Sequence, residues 1–485
     1  MKLLCSLLLT CLCAGSLTPA FAATNDDDRG LRLWMKDRQA YQETSDTAPD
    51  KDQPLLQDPL SLSLEGKTYS LNNNAQDLGL AIYLAISHRQ FRDALRLLPA
   101  YERLADHDPL LVLFARAEYA RDRGHYAEAI DDYRQILHRS PDFLRVRLEL
   151  ARTLFEDNQN REALAMFNRI LADRGAELPA GTIATIRQFT GAIETRTAWT
   201  GSLSLGYVWN SNINQTPDRD APWLSGGGLW RREDPKSSGG VSYDASLSKI
   251  FPLAGHHALQ LKGTTYGDRY PHQAQFSENT STLALLWQYS NATTRAAIGP
   301  VVEMKLSDEQ RLYTGRGLRL DGDYRFTPRL MLSLNADYQK LTYKKEYETS
   351  DGERGNLYLT GIYGLTPATS LFIGADGTRV TTQVRSDDYY QTGLRAGVFS
   401  AITPDINLMV MATRRNSRFA AFNTFVGDER RDREQLYMAR VSLPGYQMLT
   451  LTPFASYRFR KNHSSADGLY SYRQHEVVMG FETNF

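Results

Sequence analysis

Cysteine is almost absent from this chain. Its three cysteines all lie within the first 13 of the 485 residues. The same stretch has Lys2, an apolar run to about Leu17, and small residues at Ala20 and Ala22, which together predict a secretory signal peptide over 1–22, cleaved after Ala22. The apolar run is too short for a membrane anchor. The mature chain would then hold no cysteine, which excludes a disulfide framework despite export.

Long apolar runs and an excess of one charge are missing as well. After the signal no stretch approaches about 18 apolar residues, which excludes helical membrane spans. Strand-built spans stay possible, because their alternating residues score as hydrophilic, in keeping with a mean hydropathy of −0.45. The 56 basic residues balance the 56 acidic residues, so nothing indicates a nucleic-acid-binding protein.

Catalytic and cofactor motifs are also lacking. The nine histidines form no HExxH, and there is neither a nucleophile elbow nor a phosphate-binding glycine loop. The triple glycine in "LSGGGLW" is interpreted as a flexible loop, and Asp268 with His272 is too weak a pair to indicate catalysis. The sequence therefore predicts no enzyme, no cofactor and no metal site.

A helical repeat is what the first half of the chain does contain. Residues 23–73 are predicted to be a polar linker with one short helix around "LRLWMKDR", and 74–197 a helical repeat domain. Within that domain, similar residues recur 34 positions apart, the period of tetratricopeptide repeats. The recurring pairs are Ala117 and Ala151, Ala129 and Ala163, Tyr133 and Phe167, Ile136 and Ile170, and Leu137 and Leu171. Pro109 and Pro141 are predicted to separate the units.

Such an array has either a binding role or a spacing role. A stack of helix pairs presents a curved surface that can hold a peptide or a partner protein. The candidates for its concave side are Glu118, Arg121, Arg145 and Arg152. The alternative is a spacer with no partner of its own.

After Trp199 the hydrophobic period changes from 3.6 to 2, which indicates strands. Three segments, "GLRLDGDYRF", "RLMLSLNADYQ" and "LTLTPFASYRFR", set apolar residues on one face against charges on the other. So many charges cannot enter a dry core unpaired, as a secreted β-sandwich would require, but they can line a hydrated lumen. The candidate lumen-lining residues are Arg319, Asp321, Asp323, Arg325, Asp337, Arg458 and Arg460. The alternative is that they only pair with one another and stiffen the wall.

The breaks between these strands predict a barrel. Short breaks at Pro252, 291–294, Pro328, Pro367, Pro404 and Pro444 recur about every 38 residues and alternate with longer polar connections. Seven such units give a fourteen-stranded antiparallel outer-membrane β-barrel over 198–485, closed by pairing of the final "HEVVMGFETNF" with the first strand. The repeat domain joins the side with the short turns and is therefore expected in the periplasm.

The order of signal, short repeat array and barrel resembles the Slam family, the surface lipoprotein assembly modulators of type XI secretion. The strings "GSLSLGYVWNSNINQTP", "FNTFVGDERRDREQ" and "PFASYRFRKNHS" add to the resemblance. It implies a translocator that carries a partner protein from the periplasm to the cell surface, helped by periplasmic chaperones. The cargo would be a surface lipoprotein or a soluble haem-binding protein. Asn210, Asn212 and Asn214 match a family feature to which we assign no role at this point.

Two routes and two rival functions stay open on the sequence. Cargo collected by the repeat domain could pass through the lumen or through a seam between 201–209 and 475–485. One rival is a polysaccharide exporter, although those have longer repeat arrays. The other is a passive porin with a periplasmic scaffold domain.

Overall fold

The computed structural model describes residues 61–64, 67–217, 223–225, 228–230 and 233–485. The predicted signal peptide, the cleavage site after Ala22 and the predicted helix around "LRLWMKDR" lie outside the described residues. The end of the predicted linker contains a two-stranded hairpin, Ser61–Leu64 with Lys67–Ser70, which the sequence had not indicated.

Seven helices follow, and they confirm the repeat architecture. They are α1 (Ala75–Ser87), α2 (Phe91–Tyr101), α3 (Pro109–Asp122), α4 (Tyr126–Arg139), α5 (Leu144–Glu156), α6 (Asn160–Arg174) and α7 (Ala180–Thr197). The small residues that recur at the 34-residue period, Ala117, Ala129, Ala151 and Ala163, are fully buried in one apolar core. A larger residue at these positions would hold the crossing helices apart.

The turn inside each helix pair contains one residue in the left-handed backbone conformation. Arg89, Gly124 and Asn158 each have positive φ (62°, 77° and 60°) and stand between the first and second helix of a pair. A left-handed residue ends a helix abruptly and turns the chain back. Pro109 is the first residue of α3, where its missing N–H costs nothing.

Fourteen antiparallel strands close into one barrel, as predicted. They are β1 (Trp199–Asn210), β2 (Ser238–Pro252), β3 (His257–Arg269), β4 (Glu278–Ser290), β5 (Thr294–Ser307), β6 (Gln310–Thr327), β7 (Leu330–Tyr343), β8 (Gly352–Thr366), β9 (Thr369–Thr381), β10 (Tyr389–Thr403), β11 (Ile406–Phe419), β12 (Arg431–Ser442), β13 (Thr452–Ser464) and β14 (Tyr472–Asn484). Every neighbouring pair is consecutive in the chain except β14 and β1, which close the ring.

The two faces of the barrel have inverted polarity. On β1, the outward Leu205 and Tyr207 are more than half exposed, whereas the inward Ser202 and Ser204 are buried. The alternation recurs around the wall and leaves an apolar, aromatic belt outside and polar side chains inside, as in barrels that sit in lipid. Among the described residues, no helix is both long and apolar enough to cross a membrane.

The connections differ from the predicted pattern in two places. The connection 308–309, on the side away from the repeat domain, is a tight turn in which both residues have positive φ (53° and 57°). On the side of the repeat domain, turns such as 328–329 and 404–405 are short, but 443–451 is long. The proline at 444 marks the start of that connection rather than a tight turn.

Candidate functional site

A chain of charged side chains crosses the inner wall over five consecutive strands. We call it the arginine–carboxylate network: Arg395, Asp376, Arg415, Glu434 and Arg460. Arg395 Nη1 lies 2.9 Å from Asp376 Oδ1, and Arg415 Nε lies 3.2 Å from Asp376 Oδ2. Glu434 then bridges Arg415 at 3.5 Å and Arg460 at 3.6 Å. All five side chains are buried, so the carboxylates offset the charge of the guanidinium groups at short range.

A second group of paired charges lies on the adjoining part of the wall, between β4 and β8. Arg354 Nη2 is 2.7 Å from Glu303 Oε1, which also accepts a hydrogen bond from the Tyr313 hydroxyl at 2.9 Å. Lys305 Nζ lies 3.2 Å from Glu278 Oε2. Paired charges of both signs therefore face the interior on both parts of the wall.

The seven predicted lumen residues all lie on the inward face of their strands. Arg319 stands directly opposite Asp337 across the β6–β7 ladder, and Asp321 is buried two residues further along β6. Asp323 pairs with Arg295 at 2.7 Å. Arg325 is half-buried near the end of β6.

On β13, Arg458 pairs with Glu476, and Arg460 belongs to the arginine–carboxylate network. The prediction did not include Arg395 or Arg415, the central members of that network. The alternation in "YQTGLRAGVF" carries a signal for Arg395, because it places Arg395 on the inward face of β10 and the preceding Leu394 on the outward face.

The ladder that closes the ring is the shortest in the barrel. β14 and β1 share nine partner pairs, from Glu476↔Asn210 to Asn484↔Ser202, whereas β1 and β2 share twelve. Near its centre Gly480 faces Gly206, so no side chains interlock there. Below the ladder, Gly201 and Phe485 exchange two backbone hydrogen bonds of 2.8 and 3.0 Å. We call this β14–β1 ladder the seam.

The asparagine motif fastens the outer end of the seam. Asn212 Nδ2 donates to the carbonyl oxygen of Thr216 at 2.8 Å and to that of Arg473, the second residue of β14, at 3.0 Å. Gln474 Nε2 donates back to the Asn212 carbonyl at 2.8 Å. Asn214 Oδ1 accepts a hydrogen bond of 2.8 Å from the N–H of Lys236, near the other end of the connection between β1 and β2. We call these contacts the asparagine clasp.

In the repeat domain, the predicted partner residue Glu118 is buried, and the side chain of Arg121 is only 9% exposed. Glu118 accepts hydrogen bonds from Arg121 Nη2 at 2.7 Å and from the Tyr133 hydroxyl at 2.8 Å. Arg121 also lies 3.7 Å from Glu149 and 3.4 Å from Glu156, so it links α3 to α5. These contacts show that Glu118 and Arg121 hold α3 against α4 and α5.

Burial and the neighbouring charges in this cluster raise the pKa values of three side chains. Burial raises the pKa of Glu149, and the Glu118 carboxylate adds to the shift. Burial and Glu118 also raise the pKa of the Tyr133 hydroxyl. Although burial alone would lower the pKa of Arg121, the carboxylates of Glu118 and Glu156 outweigh it and raise that pKa.

The other two predicted residues are more accessible. Arg145 Nη1 donates to the Tyr83 hydroxyl at 2.8 Å, and its guanidinium carbon lies 5.2 Å from the Tyr83 ring centroid and 5.4 Å from that of Phe114. It thereby joins α5 to α1. Arg152 pairs with Glu156 at 2.9 Å and keeps 39% of its side chain exposed.

The repeat domain is docked on the barrel by the corner between α5 and α6. Asp157 Oδ2 lies 2.7 Å from His256 Nε2, and Glu162 accepts from the Gly255 N–H at 2.8 Å, both in the β2–β3 turn. Asn158 Nδ2 donates to the Asn291 carbonyl in the β4–β5 turn at 2.7 Å. These contacts hold the helices beside the mouth of the barrel, on the side of the short turns.

Two family models match the chain in the same order as its two domains. Residues 199–485 match the surface lipoprotein assembly modifier model, and residues 64–167 match the model of that family's N-terminal TPR repeats. The chain belongs to the surface lipoprotein assembly modifier family. Members of this family are outer-membrane translocators, so the barrel lies in the outer membrane and the repeat domain in the periplasm.

Similar proteins carry the family name or that of a related secretion factor. A hemophilin secretion modulator from Acinetobacter baumannii is 28% identical, with 98% of this chain and 99% of the relative covered. A surface lipoprotein assembly modifier from Moraxella catarrhalis is 29% identical over 67% of this chain and 63% of its own length. Another from Pasteurella multocida is 27% identical, with 65% and 63% covered.

Solved structures show weaker likeness, limited to part of the chain. A FadL homologue from Pseudomonas aeruginosa has 10% identity and a TM-score of 0.35, covering 59% of this chain and 90% of its own. The DcaP channel of Acinetobacter baumannii has the same identity and TM-score, and 96% of it is covered.

Proposed function

We propose that this Slam-family barrel exports a protein cargo of the hemophilin type, received in the periplasm by the repeat domain. The observation that carries the cargo class is the match to the hemophilin secretion modulator over nearly the full length of both chains. The lipoprotein assembly modifiers from Moraxella and Pasteurella match over shorter parts of their length. A surface lipoprotein is the second candidate cargo. No catalytic step is assigned to the chain.

The repeat domain is the proposed receiving surface. Arg145 and Arg152 offer cationic groups on its concave side, with Glu118 and Arg121 holding the helices behind them. Because the α5–α6 corner is fixed to the β2–β3 and β4–β5 turns, a cargo held there is already beside the barrel mouth. Periplasmic chaperones would deliver the cargo unfolded, and folding outside would make passage irreversible.

We propose that the cargo leaves through the seam rather than through a free lumen. The arginine–carboxylate network presents paired, buried charges rather than open cationic or anionic sites. Breaking such pairs is costly, since each separated partner is left as a buried charge. The β14–β1 seam has the fewest partner pairs of the fourteen ladders, nine, and it has facing glycines, so we propose that it is the ladder that opens once the asparagine clasp is released.

A disulfide across the seam tests the exit route. Val208 and Val478 face each other across it, and both are buried on the inner side. A Val208→Cys/Val478→Cys variant therefore brings two Cβ atoms into disulfide range. The matched control is Ala284→Cys/Val301→Cys, an equivalent inward pair on the β4–β5 ladder.

The experiment co-expresses each variant with a hemophilin-type cargo protein. Cargo is measured in the medium and, by protease shaving, on the cell surface. The seam lock should abolish export until a reductant is added, while the control lock exports normally. Export through both locked barrels alike would contradict lateral release. Cargo in the medium supports a hemophilin type, and cargo that stays on the cells supports a lipoprotein.

The two rival functions make different predictions in the same cells. A polysaccharide exporter would release polymer and leave the cargo protein inside. A passive porin would conduct ions in planar bilayers without any partner and would leave the cargo protein inside as well.

A further inference from the structure

One periplasmic connection carries an exposed apolar tip. In the β12–β13 connection, Tyr446 and Met448 are 64% and 66% exposed, and Leu449 is 96% exposed. Leu451, at the end of the connection, is exposed as well. We call residues 446–451 the apolar tip.

The tip is an ordered hairpin rather than a loose loop. Met448 and Leu451 exchange two backbone hydrogen bonds of 2.9 and 3.0 Å, and Leu443 N–H donates to the Pro453 carbonyl at 2.9 Å below them. Leu449 holds φ at +59°, a left-handed conformation that branched side chains rarely adopt. Backbone strain of this kind persists where the surrounding structure and a function maintain it. Here it holds a leucine side chain away from the rest of the protein.

The composition of the connection sets it apart from its neighbours. Residues 443–451 read "LPGYQMLTL" and contain no charged residue. The adjacent turn between β10 and β11 contains Asp405, and the turns 291–293 and 367–368, which are uncharged as well, are only two or three residues long. An uncharged segment with a tyrosine beside leucine and methionine is suited to the boundary between headgroups and acyl chains.

The position of the tip indicates a bilayer as its occupant. Outward apolar side chains reach the periplasmic ends of other strands: Phe326 on β6, Leu365 on β8 and Ile402 on β10 are each more than half exposed within two residues of a turn. The tip connection lies beside one of these turns, since the Gly445 N–H donates to the Asp405 carbonyl at 3.4 Å. Leu451 also continues the outward alternation of Ala455 and Tyr457 on β13.

We propose that the apolar tip is inserted in the periplasmic leaflet of the outer membrane and extends the lipid-facing belt of the barrel. It lies between β12 and β13, and β13 is the neighbour of the seam strand β14. The tip therefore anchors the barrel wall to lipid on one side of the seam. The docked repeat domain contacts the turns on the other side, at β2–β3.

Single cysteines test the insertion, because all native cysteines lie within the first 13 residues. Leu449→Cys is labelled with a nitroxide in the purified chain from residue 23 onward, which lacks all three native cysteines, and is reconstituted in phosphatidylethanolamine–phosphatidylglycerol vesicles. Collision rates with oxygen, which enters lipid, and with a water-soluble nickel chelate are measured by electron paramagnetic resonance. Leu205→Cys, on the outward face of β1, is the lipid reference. Glu128→Cys, on α4 with 72% of its side chain exposed, is the water reference.

The expected result is an oxygen-to-nickel ratio at residue 449 several-fold above that at residue 128 and close to that at residue 205. The vesicles contain no cargo or chaperone, so shielding from nickel can come only from lipid. A ratio at residue 449 equal to that at residue 128 would overturn the proposal. The same would follow if shielding arose only on adding a cargo protein, which would make the tip a protein-docking site.

Discussion

The repeat domain and the barrel bury opposite kinds of side chain. In the helices, Ala151 and Phe167 are buried and charges lie mostly outside. In the barrel, Leu205 and Tyr207 are exposed, whereas Arg395 and Arg415 are almost fully buried. Apolar side chains turn away from water in both domains, but in the barrel the region without water is outside. Hydrophobic patterning thus defines the two faces, and the architecture decides which of them is the interior.

The difference also predicts how each domain fails. Truncating a residue in the helical core leaves a cavity, and the cost depends on lost contacts. Truncating a charge inside the barrel leaves its partners buried without compensation, and the cost is electrostatic. Substitutions matched in the two domains can separate these mechanisms.

The largest effect is expected for Arg415→Ala. Because Arg415 bridges Asp376 and Glu434, its loss breaks two buried ion pairs and leaves each carboxylate with a single arginine partner, Arg395 or Arg460. At roughly 2 kcal/mol for each buried charged contact, the free energy of unfolding should fall by about 4 kcal/mol. Urea unfolding in lipid vesicles, followed by tryptophan fluorescence, measures this. Arg414→Ala removes the exposed neighbour on the outward face of the same strand and should change little. Equal losses would mean that the inner pairing does not stabilise the barrel.

Phe167→Ala should destabilise the repeat domain alone. Phe167 is buried and stacks on Phe189 with ring centroids 5.3 Å apart. Its truncation should cost about 3 kcal/mol through the cavity it leaves. Circular dichroism melting of the helical signal reports the loss, while gel mobility of the unheated barrel should stay as in the parent protein. Phe143→Ala, at a partly exposed ring, is the control; a loss as large there would argue against the cavity mechanism.

Asn212→Ala should loosen the outer end of the seam. The change removes two donated hydrogen bonds, to Thr216 and Arg473, and should cost about 2 kcal/mol locally. Hydrogen exchange of the β14 amides near Gln474 should accelerate, with β7 unchanged. Asn416→Ala, on the outward face of β11, supplies the control. Unchanged exchange at β14 would show that the asparagine clasp does not hold the seam.

The smallest effect is expected in the pH dependence of the free energy of unfolding. Since the pKa of Glu149 is raised in the folded state, the folded chain binds this proton more tightly than the unfolded chain. The free energy of unfolding therefore falls as pH rises above the ordinary value of 4.5. Glu149→Gln should flatten this decline and stabilise the domain by up to about 1 kcal/mol at pH 7. The control Glu128→Gln removes an exposed carboxylate and should leave the pH dependence of the free energy of unfolding as in the parent protein. If Glu149→Gln also kept the parent dependence, Glu149 would not be its source.

The sequence was sufficient for the architecture because periodicity is a local signal. The 34-residue spacing of Ala117 and Ala151 and the alternation in "RLMLSLNADYQ" each need only one segment to be recognised. The seven lumen residues came from strands with clean alternation, and they lie on the inward faces. Their role in transport stays a proposal.

Partners distant in the chain could not be predicted. In "ATRRNSRF" arginines occupy both faces, so alternation alone did not select Arg415 over Arg414. The burial of Glu118 and Arg121 depends on Tyr133 and Glu156, which reach them from other helices. The asparagine clasp likewise depends on Arg473 and Gln474, far along the chain from Asn212.

The most direct test of export is transfer into liposomes that contain only this protein. The chain is reconstituted with its repeat domain outward, a chaperone-bound hemophilin-type cargo protein is added outside, and protease-protected cargo is quantified. The account predicts protected, folded cargo in the lumen with the parent barrel and none with the locked seam or in empty liposomes. Equal protection with and without the barrel would contradict it.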